Sequence, residues 1–164
     1  MKILVLVLVL ASVIFTPSHA QKRADLDCPT IEKILEYAKT DFKELLGELE
    51  MKVQDCNYYY SKVSFGIDST STLQSCKDHK GHLILHFDTY IGNDEIQSDL
   101  EFKNLEETLD RCLPGAKITE IKPGDFKRVV EYKLNNIRLS AYQDKVKNAS
   151  HETPLVTLSV VKIR

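Results

Sequence analysis

Apolar residues recur every three or four positions between residues 29 and 53, and this spacing predicts one long amphipathic helix. Charged side chains fill the positions between them and would form the solvated face. Pro29 suits a first helical turn, and Asp27 or Thr30 can accept hydrogen bonds from the first free amides. Gly47 predicts a kink or a close contact. The apolar positions are Ile31, Ile34, Leu35, Ala38, Phe42, Leu45, Leu46, Leu49 and Val53.

Downstream of Cys56 apolar and polar positions alternate, and this period of two predicts strands. Leucines repeat every four residues over 104–113, which predicts a second, short helix. The expected fold is therefore α+β, with one long N-terminal helix packed on an antiparallel sheet of about six or seven strands. The alternating segments are 59–67, 69–75, 83–91, 96–102, 118–121, 126–134, 137–141 and 155–163. Side chains expected in the core include Phe42, Leu46, Phe87 and Leu158.

The N-terminal segment has the composition of a secretory signal peptide. Residues 1–20 combine Lys2, an apolar run and small residues at Ser18 and Ala20, which is the pattern that signal peptidase cleaves. The apolar run is shorter than the ~20 residues that span a bilayer. We therefore expect a signal peptide over 1–20 and a single secreted α+β domain over 21–164.

Four cysteines in the predicted secreted part indicate two disulfides. The long helix would hold Cys28 and Cys56 roughly 36 Å apart, whereas a disulfide requires Cα atoms within about 7 Å. A hairpin centred on Gly66 would place Cys56 and Cys76 opposite each other, because each lies ten residues from the turn. We therefore predict the pairs Cys56–Cys76 and Cys28–Cys112.

Surface chemistry limits the choice of partners. The chain carries 22 Lys and Arg residues against 24 Asp and Glu residues, and this balance argues against nucleic acid, which needs clustered positive charge. Asn148 opens an Asn-Ala-Ser sequon in a polar stretch, so we expect a glycosylated surface loop.

Three histidines lie close together in the sequence but do not predict a metal site. His82 and His86 share a strand face at a separation of about 13 Å. One ion cannot bridge that gap, since metal–nitrogen bonds are only ~2.0–2.1 Å long. We expect His79, His82 and His86 to be exposed, and we predict no metal and no cofactor.

The sequence also lacks a catalytic motif. It contains no GxSxG, HExxH, P-loop or GxGxxG pattern, and the predicted disulfides consume every thiol. The acidic pairs Asp94-Glu95 and Glu106-Glu107 lie beside a turn or on a helix surface, where solvated carboxylates are expected. We therefore predict a protein that is not an enzyme and has no catalytic residue.

Tyr58-Tyr59-Tyr60 is the most unusual local feature. On a strand, Tyr58 and Tyr60 would point to one face and Tyr59 to the other. Two outward tyrosines form an amphipathic surface of the kind enriched at interfaces, although a cross-strand pair that stabilises the sheet is an alternative. We take Tyr58 and Tyr60 as the candidate binding surface.

A long N-terminal helix over an antiparallel sheet, with two disulfides, resembles the outline of cystatin-like domains. The protease inhibitors among them bind through a loop of the Gln-Val-Val-Ala-Gly type. None of Gln54, Gln74, Gln97 and Gln143 opens such a run, so the resemblance covers architecture and does not extend to protease inhibition.

These observations predict a secreted, non-enzymatic extracellular binding protein that acts as an inhibitor, effector or toxin-like factor. The alternative is a carrier of a small hydrophobic ligand or lipid in a cavity between helix and sheet. A structural matrix protein fits less well, because the sequence has neither repeats nor a strong charge bias. The expected partner is an extracellular protein or a small apolar ligand, with no integral membrane segment in the mature chain.

Overall fold

The structure is a computed structural model that describes residues 26–63, 65, 70–77, 82–90, 94–118, 126–147 and 152–163. The predicted signal peptide, His79 and the sequon at Asn148 lie outside these residues. No helix in the described ranges is long and apolar enough to cross a lipid bilayer.

Within the described residues the chain forms two α-helices, one short 3-10 turn and eight strands. The helices are α1 (Cys28–Lys39) and α2 (Glu95–Cys112), and the 3-10 turn covers Lys43–Leu45. The strands are β1 (Leu46–Val53), β2 (Cys56–Ser61), β3 (Thr70–Cys76), β4 (Leu83–Tyr90), β5 (Lys117–Ile118), β6 (Arg128–Leu134), β7 (Ile137–Lys147) and β8 (Glu152–Lys162).

The described strands form one antiparallel sheet in the order β1-β2-β3-β4-β8-β7-β6-β5. Both helices contact β7 and β8, and their apolar side chains join those of the strands in a single core. We call the side of the sheet that carries the helices the helix face and the opposite side the outer face. The α+β class is confirmed, with eight strands in place of the six or seven expected.

The core fills the layer between the helices and the sheet. It combines Ile34 of α1 and Leu109 of α2 with Leu85, Leu139 and Val160 of the three central strands, all at 1% exposure or less. Alternate positions of the central strands face the helices, which is the pattern of a sheet covered on one side. Of the predicted core residues, Phe42, Phe87 and Leu158 are buried and Leu46 is half-buried.

The prediction of a long N-terminal helix is wrong. Helix α1 has 12 residues, and the last part of the predicted helix forms strand β1. Asp27 does cap the start, where its side chain accepts a hydrogen bond from the Thr30 amide at 2.9 Å. Helical geometry ends at Asp41 and Phe42, whose φ angles are 58° and 54°. Left-handed backbone cannot continue a right-handed helix, so the chain turns there.

Gly47 makes the close contact expected of it, but within a strand rather than a helix. A Cβ atom at this position would lie 2.3 Å from the Tyr60 carbonyl oxygen. Glycine therefore permits the close approach of β1 to β2. The resemblance to cystatin-like domains depended on the long helix, and that part of the outline is replaced by α1 and β1.

The second helix is longer than predicted, and one expected strand is wrong. Residues 96–102 belong to α2, which has 18 residues. Asp94 caps this helix by accepting a hydrogen bond from the Gln97 amide at 3.0 Å. The buried positions Ser98, Phe102 and Leu109 follow a helical spacing, which outweighs the alternation of Ile96 with its neighbours.

Two disulfides join the pairs expected from the sequence. Cys28–Cys112 links the start of α1 to the end of α2, with a Cα–Cα distance of 5.2 Å. Cys56–Cys76 links directly opposed positions of β2 and β3 at 4.1 Å. One disulfide therefore fixes the helical layer and the other fixes the hairpin that carries the three tyrosines.

Candidate binding face

Tyr58 and Tyr60 lie on the outer face of the sheet. In the β2–β3 register Tyr59 opposes the fully buried Leu73 and packs against the core. Tyr58 and Tyr60 therefore point away from the helices, because successive side chains on a strand alternate between faces. Tyr60 is 51% exposed and Tyr58 is half-buried.

Apolar side chains of β1 extend this surface at the end of the sheet. Met51 opposes Tyr58 and Val53 opposes Cys56, and both β1 residues remain about half exposed, at 48% and 47%. We call Met51, Val53, Tyr58 and Tyr60 the edge patch. Exposed apolar surface of this kind is typical of interaction sites.

A disulfide and a hydrogen bond hold the edge patch in place. Cys56–Cys76 crosslinks the two strands next to Val53. The Gln74 side-chain amide donates a hydrogen bond to the Tyr58 hydroxyl oxygen at 3.0 Å. A fixed surface loses little side-chain entropy on binding, which favours recognition.

A row of polar side chains continues from the edge patch across the outer face. The strand registers align six positions on six neighbouring strands. Three of these six side chains are small, and all except Tyr60 are half-buried. We call this set the polar row. Its members, in order across the sheet, are Tyr60, Thr72, His86, Ser159, Ser140 and Glu131.

Hydrogen bonds orient the centre of the polar row. Gln74 gives its amide N–H to Tyr58, so its Oε1 faces His86 Nε2 at 2.8 Å. This arrangement assigns the imidazole proton to Nε2, because an amide oxygen can only accept. His86 Nδ1 then accepts from the Ser159 hydroxyl, at 2.7 Å.

A serine hydroxyl hydrogen-bonded to an imidazole also occurs in nucleophilic catalysis. Acyl transfer further needs hydrogen-bond donors aimed at the oxyanion, and backbone amides or polar side chains can supply them. Ser159 lies on β8, which pairs with β4 on one side and β7 on the other, so neighbouring strands engage the amides around it. The arrangement fixes the Ser159 hydroxyl in place, and the strand-paired amides around it are not free to bind an oxyanion.

The far side of the outer face carries a second aromatic pair. The rings of Phe126 and Tyr142 lie 4.6 Å apart between centroids, and Phe126 is 38% exposed. Beside them Thr157 is fully buried and donates a hydrogen bond to Asp88 at 2.6 Å. The polar row therefore crosses a sheet face with exposed aromatic side chains toward both ends.

Carboxylates make the outer face acidic. Glu50 raises the pKa of the Tyr60 hydroxyl. Burial, with a contribution from Asp88 and Asp144, raises the pKa of Tyr142. Both tyrosines therefore remain neutral hydrogen-bond donors at physiological pH.

The histidines are less exposed than the sequence predicted. His82 is half-buried with its Nδ1 3.4 Å from an Asp41 carboxylate oxygen, and His86 lies within the polar row. Each is half-buried beside its hydrogen-bond partners, which are Asp41 for His82 and both Gln74 and Ser159 for His86. Among the described residues no group of three His, Cys, Asp or Glu side chains could hold a metal ion.

The two acidic pairs serve α2 and its packing. Asp94 caps the helix, and Glu95 forms an ion pair with Lys145. Glu106 is half-buried rather than fully solvated, and it pairs with Lys117 at 2.8 Å. Glu107 is exposed.

A shallow polar hollow of about 320 Å³ lies at the β1–β2 turn. Its charged groups already interact, since Lys77 donates to Asp55 at 2.7 Å. The lining residues are Lys52, Asp55, Asn57, Ser75, Cys76 and Lys77.

Comparison with known protein families, with curated proteins and with solved structures found no match for this chain.

Sequence reasoning found the tyrosines but missed the polar row. The alternation within β4 placed His86 on a polar face, which was a usable signal. The alignment of His86 with Ser159 joins positions 73 residues apart, and no local pattern specifies that register.

Proposed function

We propose that this chain is a secreted, non-enzymatic binding protein that recognises an extracellular partner through the outer face. The observation that carries the proposal is the edge patch, where Met51, Val53 and Tyr60 are each about half exposed and where Cys56–Cys76 links β2 to β3. An exposed aromatic and apolar surface on a rigid support matches the anatomy of interaction sites.

Secretion is supported by the signal-like residues 1–20 and by two disulfides, which persist in oxidising compartments. The non-enzymatic part is supported by the central position of Ser159, where strand pairing engages the surrounding backbone amides. The alternative carrier function would need a cavity beneath the helices, and side chains such as Leu85 and Leu139 fill that layer in the described residues.

Photo-crosslinking tests the proposed surface. The photoreactive benzoylphenylalanine replaces Tyr60 on the outer face, or Ile96 on α2 as the matched control, since Ile96 is 82% exposed. Each secreted, disulfide-bonded protein is irradiated in extracellular fluid of its source tissue. We expect a defined adduct from position 60, competed by the parent protein but not by a folded Tyr58→Ala/Tyr60→Ala variant.

Equal adducts from positions 60 and 96, or full competition by the double variant, would contradict the proposed surface. The same preparations are treated with diisopropyl fluorophosphate, which esterifies activated serines. We expect Ser159 to stay unmodified, and stoichiometric labelling that His86→Gln abolishes would contradict a non-enzymatic function.

A further inference from the structure

We propose that the polar row is a binding site for a neutral oligosaccharide, with aromatic side chains holding the sugar rings at either end. This inference deepens the proposed function and rests on it. It is carried by the row's composition, its shape and the charge around it.

The composition of the row favours a ligand rich in hydroxyl groups. Thr72, Ser159 and Ser140 place hydroxyls on β3, β8 and β7, and His86 on β4 lies between the first two. Each hydroxyl has one proton and two lone pairs, so it can donate and accept at once. Ser159 and Ser140 already donate to His86 and Glu131, so their oxygen lone pairs remain to accept hydrogen bonds from sugar hydroxyls, which an apolar ligand could not supply.

The shape of the face favours an extended ligand. Thr72, Ser159 and Ser140 are small and lie on either side of His86. Larger rings stand at Tyr60 on β2 and at Tyr142, two residues from Ser140 on β7. Four strand spacings separate these positions, which corresponds to about 19 Å. A chain of several sugars would follow this path, with the C–H faces of its rings against the aromatic side chains.

The charge around the row favours a neutral ligand. Asp88 and Glu131 lie on the outer face, and Tyr60 has Glu50 beside it. Arg138 approaches Glu131 at 4.0 Å, so its charge is already balanced. Lys133 opposes Arg138 on the same face, so the positive charge lies at the Glu131 end of the row. An anionic sugar would still meet the carboxylates beside Thr157 and Tyr60.

The groups that would contact a sugar are already oriented. Gln74, His86 and Ser159 hold one another at 2.7–2.8 Å. Fixed donors and acceptors need no rearrangement when the ligand arrives, which lowers the entropic cost of binding. The row therefore has the preorganisation expected of a recognition site.

Calorimetric titration of the secreted, disulfide-bonded protein tests the proposal. The probes are maltotetraose, cellotetraose, chitotetraose and mannotetraose, with a heparin-derived tetrasaccharide as the acidic comparison. The chain has seven tyrosines and no tryptophan, so tyrosine fluorescence gives a second readout. We expect at least one neutral tetrasaccharide to bind saturably, and more tightly than the acidic one.

Tyr60→Ala and Phe126→Ala should each weaken that binding by about tenfold or more. Ile96→Ala, at an exposed position of α2, is the matched control and should leave it unchanged. The proposal is overturned if no neutral tetrasaccharide binds, if the heparin fragment binds more tightly, or if both aromatic variants bind normally. The two proposals can also be distinguished. If position 60 crosslinks to an unglycosylated peptide and no tetrasaccharide binds, this inference is overturned and the proposed function stands.

Discussion

The two ends of the sheet contain similar alternating strands but differ in what covers them. On β4, β7 and β8 the apolar side chains of the helix face share one core with those of α1 and α2 and are almost inaccessible to solvent. On β1 the side chains of Leu49 and Met51 are 56% and 48% exposed. Alternation thus produces a core where helices cover the sheet, and an accessible surface where they do not.

This difference separates the residues that stabilise the fold from those available for recognition. Burial of an apolar side chain contributes about 1.5–3 kcal/mol to the free energy of unfolding. At the covered end, side chains on several strands make this contribution. The edge end is stabilised instead by backbone pairing and by Cys56–Cys76. Its side chains can therefore change with little effect on folding.

Removal of the disulfides is expected to have the largest effects on the free energy of unfolding. The two losses show which end of the sheet contributes more to stability. Cys28–Cys112 spans 84 residues and Cys56–Cys76 spans 20. Loop-closure entropy then predicts losses of ~4.5 and ~3 kcal/mol for paired Cys→Ala variants. Urea unfolding measures both values. A larger loss at Cys56–Cys76 would show that the edge end contributes more to stability than its exposure indicates.

The disulfides also show what the sequence could and could not provide. The hairpin symmetry about Gly66 correctly opposed Cys56 and Cys76. The exclusion of Cys28–Cys56 relied on a continuous helix, yet that helix ends at Lys39. The pairing agreed with the structure because the hairpin argument was sufficient by itself.

The helix error has a physical cause. Leu45, Leu49 and Val53 continue the helical spacing of α1, but the same residues also suit a strand. The left-handed conformation of Asp41 and Phe42 ends the helix and allows a strand to follow. Neither residue type predicts this conformation in the sequence, as a glycine would. The strand period, in contrast, correctly separated Tyr58 and Tyr60 from Tyr59, and the parity assumed for the strand gave the outward direction.

Truncation of one apolar side chain at each end tests the comparison directly. Phe87 on β4 is 4% exposed and packs edge-to-face on Phe65, with 5.3 Å between centroids. We expect Phe87→Ala to lower the free energy of unfolding by about 3–5 kcal/mol. Leu49→Ala on β1 should change it by less than about 0.5 kcal/mol. Chemical denaturation checks both, and similar losses would show that β1 is covered in solution.

The covered end also contains a polar contact whose effect depends on pH. Tyr132 is fully buried on β6, and its hydroxyl donates to an Asp110 carboxylate oxygen on α2 at 2.7 Å. That hydrogen bond, with Lys117 nearby, lowers the pKa of Asp110. A carboxyl group with a lowered pKa in the folded state stabilises the protein above its unfolded pKa of about 3.9, and this stabilisation is lost as pH falls through the folded value.

Tyr132→Phe removes the donor and should cost about 1–2 kcal/mol at pH 7, a value kept low because Asp110 is 45% exposed. The difference between parent and variant should narrow below about pH 4, where Asp110 becomes protonated in the parent as well. Tyr142→Phe on the outer face is the matched control. Among the hydrogen bonds of the described residues, no carboxylate accepts from the Tyr142 hydroxyl. The difference in unfolding free energy between the parent and this variant should therefore stay constant over this pH range. Unfolding curves between pH 3 and 7 measure both differences. If the difference in unfolding free energy between the parent and Tyr132→Phe does not depend on pH, the hydroxyl stabilises the covered end by packing. The charge of Asp110 then contributes nothing to the contact between α2 and β6.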